Sequence, residues 1–198
     1  MDKYPKIKVI RKTGKEKFKL NGKPLNYDLL SFWQWSSSDL ISNAMRGILA
    51  EYIVATAVGK TDKIRTEWDA FDIETDEGIK IEVKSGAYIQ SWSQKKLSSI
   101  KFDIRPTRGW DSKTNSYSSE LARQSDVYVF CVLGHKDQET IDPLNINQWS
   151  FYVLATKRLD DVVGKQKTIT LGSLKKHNPI AVPYEELYAA IKNTANQK

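Results

Sequence analysis

Apolar and polar residues alternate strictly over residues 71–90, FDIETDEGIKIEVKSGAYIQ. Phe71 and Ile73, then Ile79, Ile81 and Val83, fall on one side, which predicts two half-buried strands. A three-residue loop, Asp76-Glu77-Gly78, with Gly78 in the left-handed position, joins them into a hairpin. Thr75 then faces Ile79, Ile73 pairs with Ile81, and Phe71 with Val83. On the other face Asp72 lies opposite Glu82, with Lys84 two residues further along. Sliding the pairing by one residue sets apolar side chains against polar ones, so the pattern itself selects this register.

Around the hairpin the periodicity predicts an α/β domain with a mixed sheet. The capping cluster Ser36-Ser37-Ser38-Asp39 opens a helix that stops near Gly59, with an apolar stripe of Ile41, Ala44, Met45, Ile48, Leu49, Tyr52 and Ala55. Residues 99–105 alternate again, 106–117 read as a polar loop, and 118–124 as a short helix. The run VYVFCVL suits a strand covered on both faces. A strand over 149–155, a helix over 157–163, a short strand over 168–171 and a helix over 183–192 follow. Residues 1–30 read as a basic hairpin extension turning at Asn21-Gly22, and 31–198 as the α/β domain.

Charge narrows the partners. The 198 residues carry 31 Lys and Arg against 24 Asp and Glu, a net +7, which favours a polyanion, nucleic acid before membrane. No apolar run approaches the roughly 20 residues of a membrane span, and MDKYPKIKVIRK lacks the apolar segment of a signal peptide. Cys131 stands alone inside the apolar run, so it reads as core, with no disulfide framework and no thiolate zinc site. A cytoplasmic setting is expected.

Directly opposed carboxylates stand about 4.5–5.5 Å apart at Cβ and repel each other. A divalent cation between Asp72 and Glu82 turns that repulsion into binding. Glu51 adds a third carboxylate, projected beside Leu40, Ala44 and Val58 on the apolar half of its helix. An unpaired charge there is costly. It either reaches a surface lysine at the helix edge or points at the same cation. Hard oxygen donors select magnesium, manganese or calcium over zinc or copper.

A helix carrying Glu51, a strand carrying Asp72 and a paired strand carrying Glu82-Val83-Lys84 together resemble the PD-(D/E)xK nucleases, the restriction-endonuclease-like superfamily. The resemblance covers about residues 38–133, whose element order also fits that family's α-β-β-β-α-β core, and Phe71 stands where the family name has Pro. It implies a restriction-endonuclease-like core and a Mg²⁺-dependent endonuclease acting on DNA, with Mn²⁺ as a substitute. Asp72 and Glu82 then bind metal, and Glu51 assists directly or through water. Lys84 positions the attacking water or the phosphate by its charge. Gln90 joins the site if the strand continues past Gly86. Asp69 is a rival for Asp72 but falls on the face of Phe71, and Lys80 opposite Glu74 reads as an ordinary ion pair.

Arg46, Lys95, Lys96, Lys101, Arg105 and Arg108, with Trp92, Trp110 and Tyr117 interleaved, form a candidate nucleic-acid track. There the cations take phosphates and the aromatics take unstacked bases. His135 and His177 are isolated and lack ligand spacing. Two alternatives stay open: a non-catalytic nucleic-acid-binding protein on the same fold, and the same chemistry on RNA or branched junctions. A homodimer is also left open.

Overall fold

The computed structural model describes Tyr4 and residues 7–66, 70–111 and 116–196. An N-terminal hairpin, β1 (Lys17–Leu20) and β2 (Lys23–Asp28), turns at Asn21-Gly22, both at positive φ. It runs directly into α1 (Leu29–Ser37) and then α2 (Asn43–Ala57). Next come β3 (Ile73–Glu74), β4 (Lys80–Ala87), β5 (Lys101–Asp103), the small pair β6 (Trp110–Asp111) and β7 (Ser116–Tyr117), and β8 (Val127–Leu133). The chain closes with β9 (Trp149–Ala155), α3 (Thr156–Val163), β10 (Thr168–Thr170), α4 (Leu171–Lys176), β11 (Ile180–Val182) and α5 (Leu187–Ala195).

The central sheet has the order β11-β9-β8-β4-β3. Its β4–β8 pair is parallel and its other pairs antiparallel, so the mixed sheet is as the sequence implies. All seven residues of β8 are buried, because both faces are covered. Val127, Val129 and Cys131 pack in the layer built by α2 and α5, through Ala50, Val54, Leu187 and Ile191. Tyr128 and Phe130 pack in the opposite layer with Phe102, Leu159, Ile169 and Leu174, supplied by the β5–β10 pair, α3 and α4. Among the described residues no helix is long and apolar enough to cross a membrane.

Gly86 shows how tightly the second layer sits on β4. A Cβ there would lie 2.6 Å from Ile100 Cγ2 and 3.2 Å from Phe102 Cε1. Gly86→Val therefore overpacks the layer, and it should destabilise the fold by about 1–3 kcal/mol, read as a lowered urea midpoint. An unchanged midpoint would show that the layer shifts freely.

The helices depart from the sequence pattern in four places. α1 was not expected; Asp28 caps it with a reciprocal box, accepting from Ser31 N at 2.9 Å while its own N–H donates to Ser31 Oγ at 3.2 Å. This helix crosses the position where the hairpin reading drew its boundary at residue 30. α2 begins later than the capping cluster suggests, at Asn43, with Ser42 as N-cap. Its buried face is Arg46, Ala50, Ile53 and Val54, while Ile48 and Tyr52 point outward. Ala50, Ile53 and Val54 face the core cluster that includes Ile81 and Val83 of β4. Residues 118–124 are not helical. Thr107 bridges Ala122, and the Gln124 amide bonds Thr107 O, a local alternative to helical bonding. Among the described residues between β5 and β8 there is thus no helix, and the α-β-β-β-α-β order lacks its second helix.

Candidate active site

The hairpin adopts the register that the alternation selects. Ile73 pairs with Ile81 and Glu74 with Lys80, Thr75 N donates to Ile79 O at 3.0 Å, and Gly78 takes φ 81°. Beyond Ile73 the regular ladder ends: Asp72 N donates to Ile81 O at 3.0 Å, so Asp72 faces the residue already paired with Ile73, and the expected Asp72–Glu82 pair does not form.

The Asp72 carboxylate leans over β4, where Oδ2 accepts from Val83 N at 2.7 Å. Burial, and then the charge of Glu82, raise its pKa from 3.8 to about 7, with Glu51 adding to the effect. The Val83 N–H and the Lys84 ammonium pull the other way and lose. Glu82 is held by Lys84, Nζ to Oε1 at 2.6 Å, both side chains half-buried. Glu51 reaches the same neighbourhood from α2, close enough for its charge to act on Asp72, but its oxygens sit in the fork of Arg65, Nη2 donating to Oε1 at 2.9 Å. Of the two readings of Glu51, the ion pair at the helix edge is the one the structure shows, with Arg65 in place of a surface lysine.

Among the described residues no three His, Cys, Asp or Glu side chains stand together as a finished metal cage. Asp72 and Glu82 nonetheless present hard oxygen donors whose mutual repulsion a cation relieves. Mg²⁺ needs only one or two carboxylates, since it keeps several of its waters. The donor set fits Mg²⁺ or Mn²⁺.

Two of the other expected site residues are built into the interior. β4 ends at Ala87, and Gln90 is buried just beyond it. Its Nε2 donates to Ala87 O at 2.9 Å and its Oε1 accepts from Arg46 Nη1 at 3.2 Å. Arg46 is 4% exposed, not part of a surface track. Its guanidinium also bonds Ser85 Oγ, Ile41 O and Asn43 Oδ1, and burial pushes its pKa down. This network ties the start of α2 to the end of β4. Lys95, Lys96, Lys101, Arg105 and Arg108 are exposed, with Arg105 paired to Asp103 at 2.6 Å. Trp92 is exposed, and Trp110 and Tyr117 pack ring on ring at 4.8 Å. Lys80 lies opposite Glu74 as expected, yet its ammonium sits over the Phe71 ring. Asp69 lies outside the described residues.

Two neighbours of the site were not singled out from the sequence. Arg65 lies between α2 and the hairpin, and only the folded chain brings it to Glu51. Tyr128 stands beside Glu82 in the β4–β8 register, and burial and the Glu82 charge push its hydroxyl pKa up. A lone phenol in an otherwise apolar strand was the available signal.

Residues 9–171 match the family of bacteriophage T4 endonuclease IV. The chain belongs to this family. The matched span takes in the N-terminal hairpin and α1 as well as the carboxylate hairpin. No curated protein matches the chain. Among solved structures, the bacterial homing endonuclease I-Ssp6803I is similar at 21% identity, over 66% of this chain and 78% of that chain, with a TM-score of 0.36. That likeness is too slight to carry any assignment of residues.

Proposed function

We propose that this member of the endonuclease IV family is a Mg²⁺-dependent DNA endonuclease of the PD-(D/E)xK type, with Mn²⁺ able to substitute. The observation that carries the reading is that Asp72 Oδ2 accepts from Val83 N at 2.7 Å, between Glu82 and Lys84 in the chain, with Lys84 ion-paired to Glu82 and Glu51 within electrostatic reach. Asp72 and Glu82 would hold the cation, which when bound supplies an acidified water and neutralises charge developing on the phosphate. Val83 N–H fixes one Asp72 oxygen and leaves the other free to ligate. Lys84, released from Glu82 in part, offers its ammonium to the attacking water or the phosphate. Glu51 assists from α2, oriented by the Arg65 fork. Arg46 and Gln90 brace β4 from the far side of Ser85. The exposed Lys95, Lys96, Lys101 and Arg108 and the net +7 support nucleic acid as substrate.

Incubation with supercoiled plasmid, linear DNA and RNA, each with Mg²⁺, Mn²⁺ or EDTA, tests this reading. DNA should be cut with either metal and left intact in EDTA. Robust cleavage in EDTA would remove the metal from the mechanism, and cleavage confined to RNA would change the substrate.

A further inference from the structure

The chain's charge is not spread evenly. Nine of its 31 Lys and Arg but only three of its 24 Asp and Glu fall within residues 1–30, so this segment carries +6 of the net +7 and residues 31–198 the remaining +1. The α/β body is close to neutral, and the excess of cations sits on the N-terminal hairpin. That hairpin builds no interior. Within residues 7–36 Gly14 alone is buried, and neither core layer takes an apolar side chain from before Leu49. The hairpin's described carboxylates are spent on its own structure. Glu16 accepts from Thr13 N and Gly14 N, both at 3.0 Å, and Asp28 caps α1 and pairs with Lys17 at 3.2 Å. Lys8, Lys12, Lys15, Lys19 and Lys23 are exposed, and among the described residues none of them is ion-paired.

The form of the ribbon narrows the polyanion it meets. Asn21 and Gly22, at φ 51° and 77°, close it in a two-residue turn between Leu20 and Lys23, so its tip is only two strands wide. Lys19 pairs with Pro24 and Leu20 with Lys23 in successive ranks, so Lys19 and Lys23 leave the ribbon on opposite faces. An element that lies on a membrane gathers its cations on one face and its apolar side chains on the other. This ribbon does not, since Lys23 shares its face with Leu20. A DNA major groove, about 12 Å wide, admits a two-stranded ribbon and has a phosphate backbone on either side. We infer that the β1–β2 hairpin is the grip on duplex DNA, entering a groove with Lys15, Lys19 and Lys23 against the phosphates. The inference rests on the reading of DNA as substrate and names the surface that holds it, apart from the carboxylate hairpin.

Titration of the full chain against a labelled duplex in EDTA, over a range of salt, tests the grip without metal or cleavage. Lys15→Gln, Lys19→Gln and Lys23→Gln combined should flatten the plot of log affinity against log salt by about 2–3 and weaken binding roughly 100-fold at about 0.15 M salt. All three side chains are exposed, so the circular dichroism spectrum should not change. Lys165→Gln, Lys167→Gln and Lys176→Gln combined remove the same charge from exposed positions on the body, and binding should stay near wild type. Equal losses in the two triple variants would overturn the inference, because total charge then sets the affinity. A folded hairpin variant that binds like wild type would overturn it too, and if that variant still cuts DNA with Mg²⁺ the nuclease reading stands. Binding lost by the hairpin variant, from a wild type that cuts no DNA, would keep the grip and end the nuclease reading. Capture of wild type by phosphatidylserine vesicles, with DNA affinity intact in the hairpin variant, would overturn the inference by placing the hairpin on a membrane.

Discussion

Glu82→Ala and Lys84→Ala should each lower DNA cleavage by on the order of 10²–10³-fold while shifting metal-free DNA affinity in opposite directions. On the proposed mechanism the first removes a metal ligand and the second a fixed charge at the phosphate, so both would be losses in the transition state. On the proposed mechanism Glu82, together with Asp72 in its ionised form, places negative charge where the scissile phosphate would sit in the absence of metal, which opposes binding. Removing Glu82 deletes part of that repulsion and frees the Lys84 ammonium from its 2.6 Å ion pair, so affinity in EDTA should rise. Removing Lys84 deletes the attraction and exposes Glu82, so affinity should fall. Titration against labelled DNA in EDTA, with circular dichroism as a check on folding, reads both. If folded Glu82→Ala binds more weakly than wild type, the phosphate does not lie at these carboxylates.

Asp72→Asn should make the metal-free protein more stable above pH 7, by on the order of 2–4 kcal/mol. In the folded chain the Asp72 pKa is raised from 3.8 to about 7, chiefly by burial and the Glu82 charge. Between those two values the folded protein keeps a proton that the unfolded chain has released, so wild-type stability falls as pH rises through this window. Above pH 7 the penalty is complete; below pH 4 it is absent. An asparagine cannot ionise, and its amide oxygen can still accept the Val83 N–H, so the variant escapes the penalty. Melting in EDTA at pH 8 should show a gain of several degrees that shrinks on acidification and vanishes near pH 4. A variant less stable than wild type at pH 8 would mean that Asp72 carries no such strain. Added Mg²⁺ should raise the melting temperature of wild type and leave that of Asp72→Asn nearly unmoved.

The carboxylate hairpin could be read directly because two local rules agree on it. A period-two pattern on Phe71, Ile73, Ile81 and Val83 and a glycine that accepts positive φ at position 78 leave one register, and the pairing follows it from the turn to Ile73, where Asp72 N bonds Ile81 O and breaks it. The face of α2 could not be read the same way. Ile48 is more apolar than Ala50, yet it is Ala50, with Ile53 and Val54, that the helix buries, while Ile48 and Tyr52 are exposed. α1 is illegible in the sequence because LLSFWQWSS has no polar face from which to read a helical period. Arg46 shows the limit of charge as a guide. A cation in the sequence suggests surface, but four neutral acceptors meet it in the interior. Gln90 sits with it for the same reason. The partnership of Arg65 with Glu51 needs the tertiary fold, since nothing local joins them.

The parallel pairing of β4 with β8 also sets the order in which the chain can be assembled. Lys80–Ala87 cannot meet Val127–Leu133 until the whole of residues 88–126 has been looped out and closed, and such long-range pairing is slow. During that interval VYVFCVL, without a charge or a proline, stands open to any other strand edge in solution. Asp126 before it and His135-Lys136 shortly after it are the polar flanks that discourage such encounters. The strand that anchors the carboxylate hairpin is therefore also an aggregation hazard, and recovery of folded protein on refolding becomes a race between intramolecular closure and concentration.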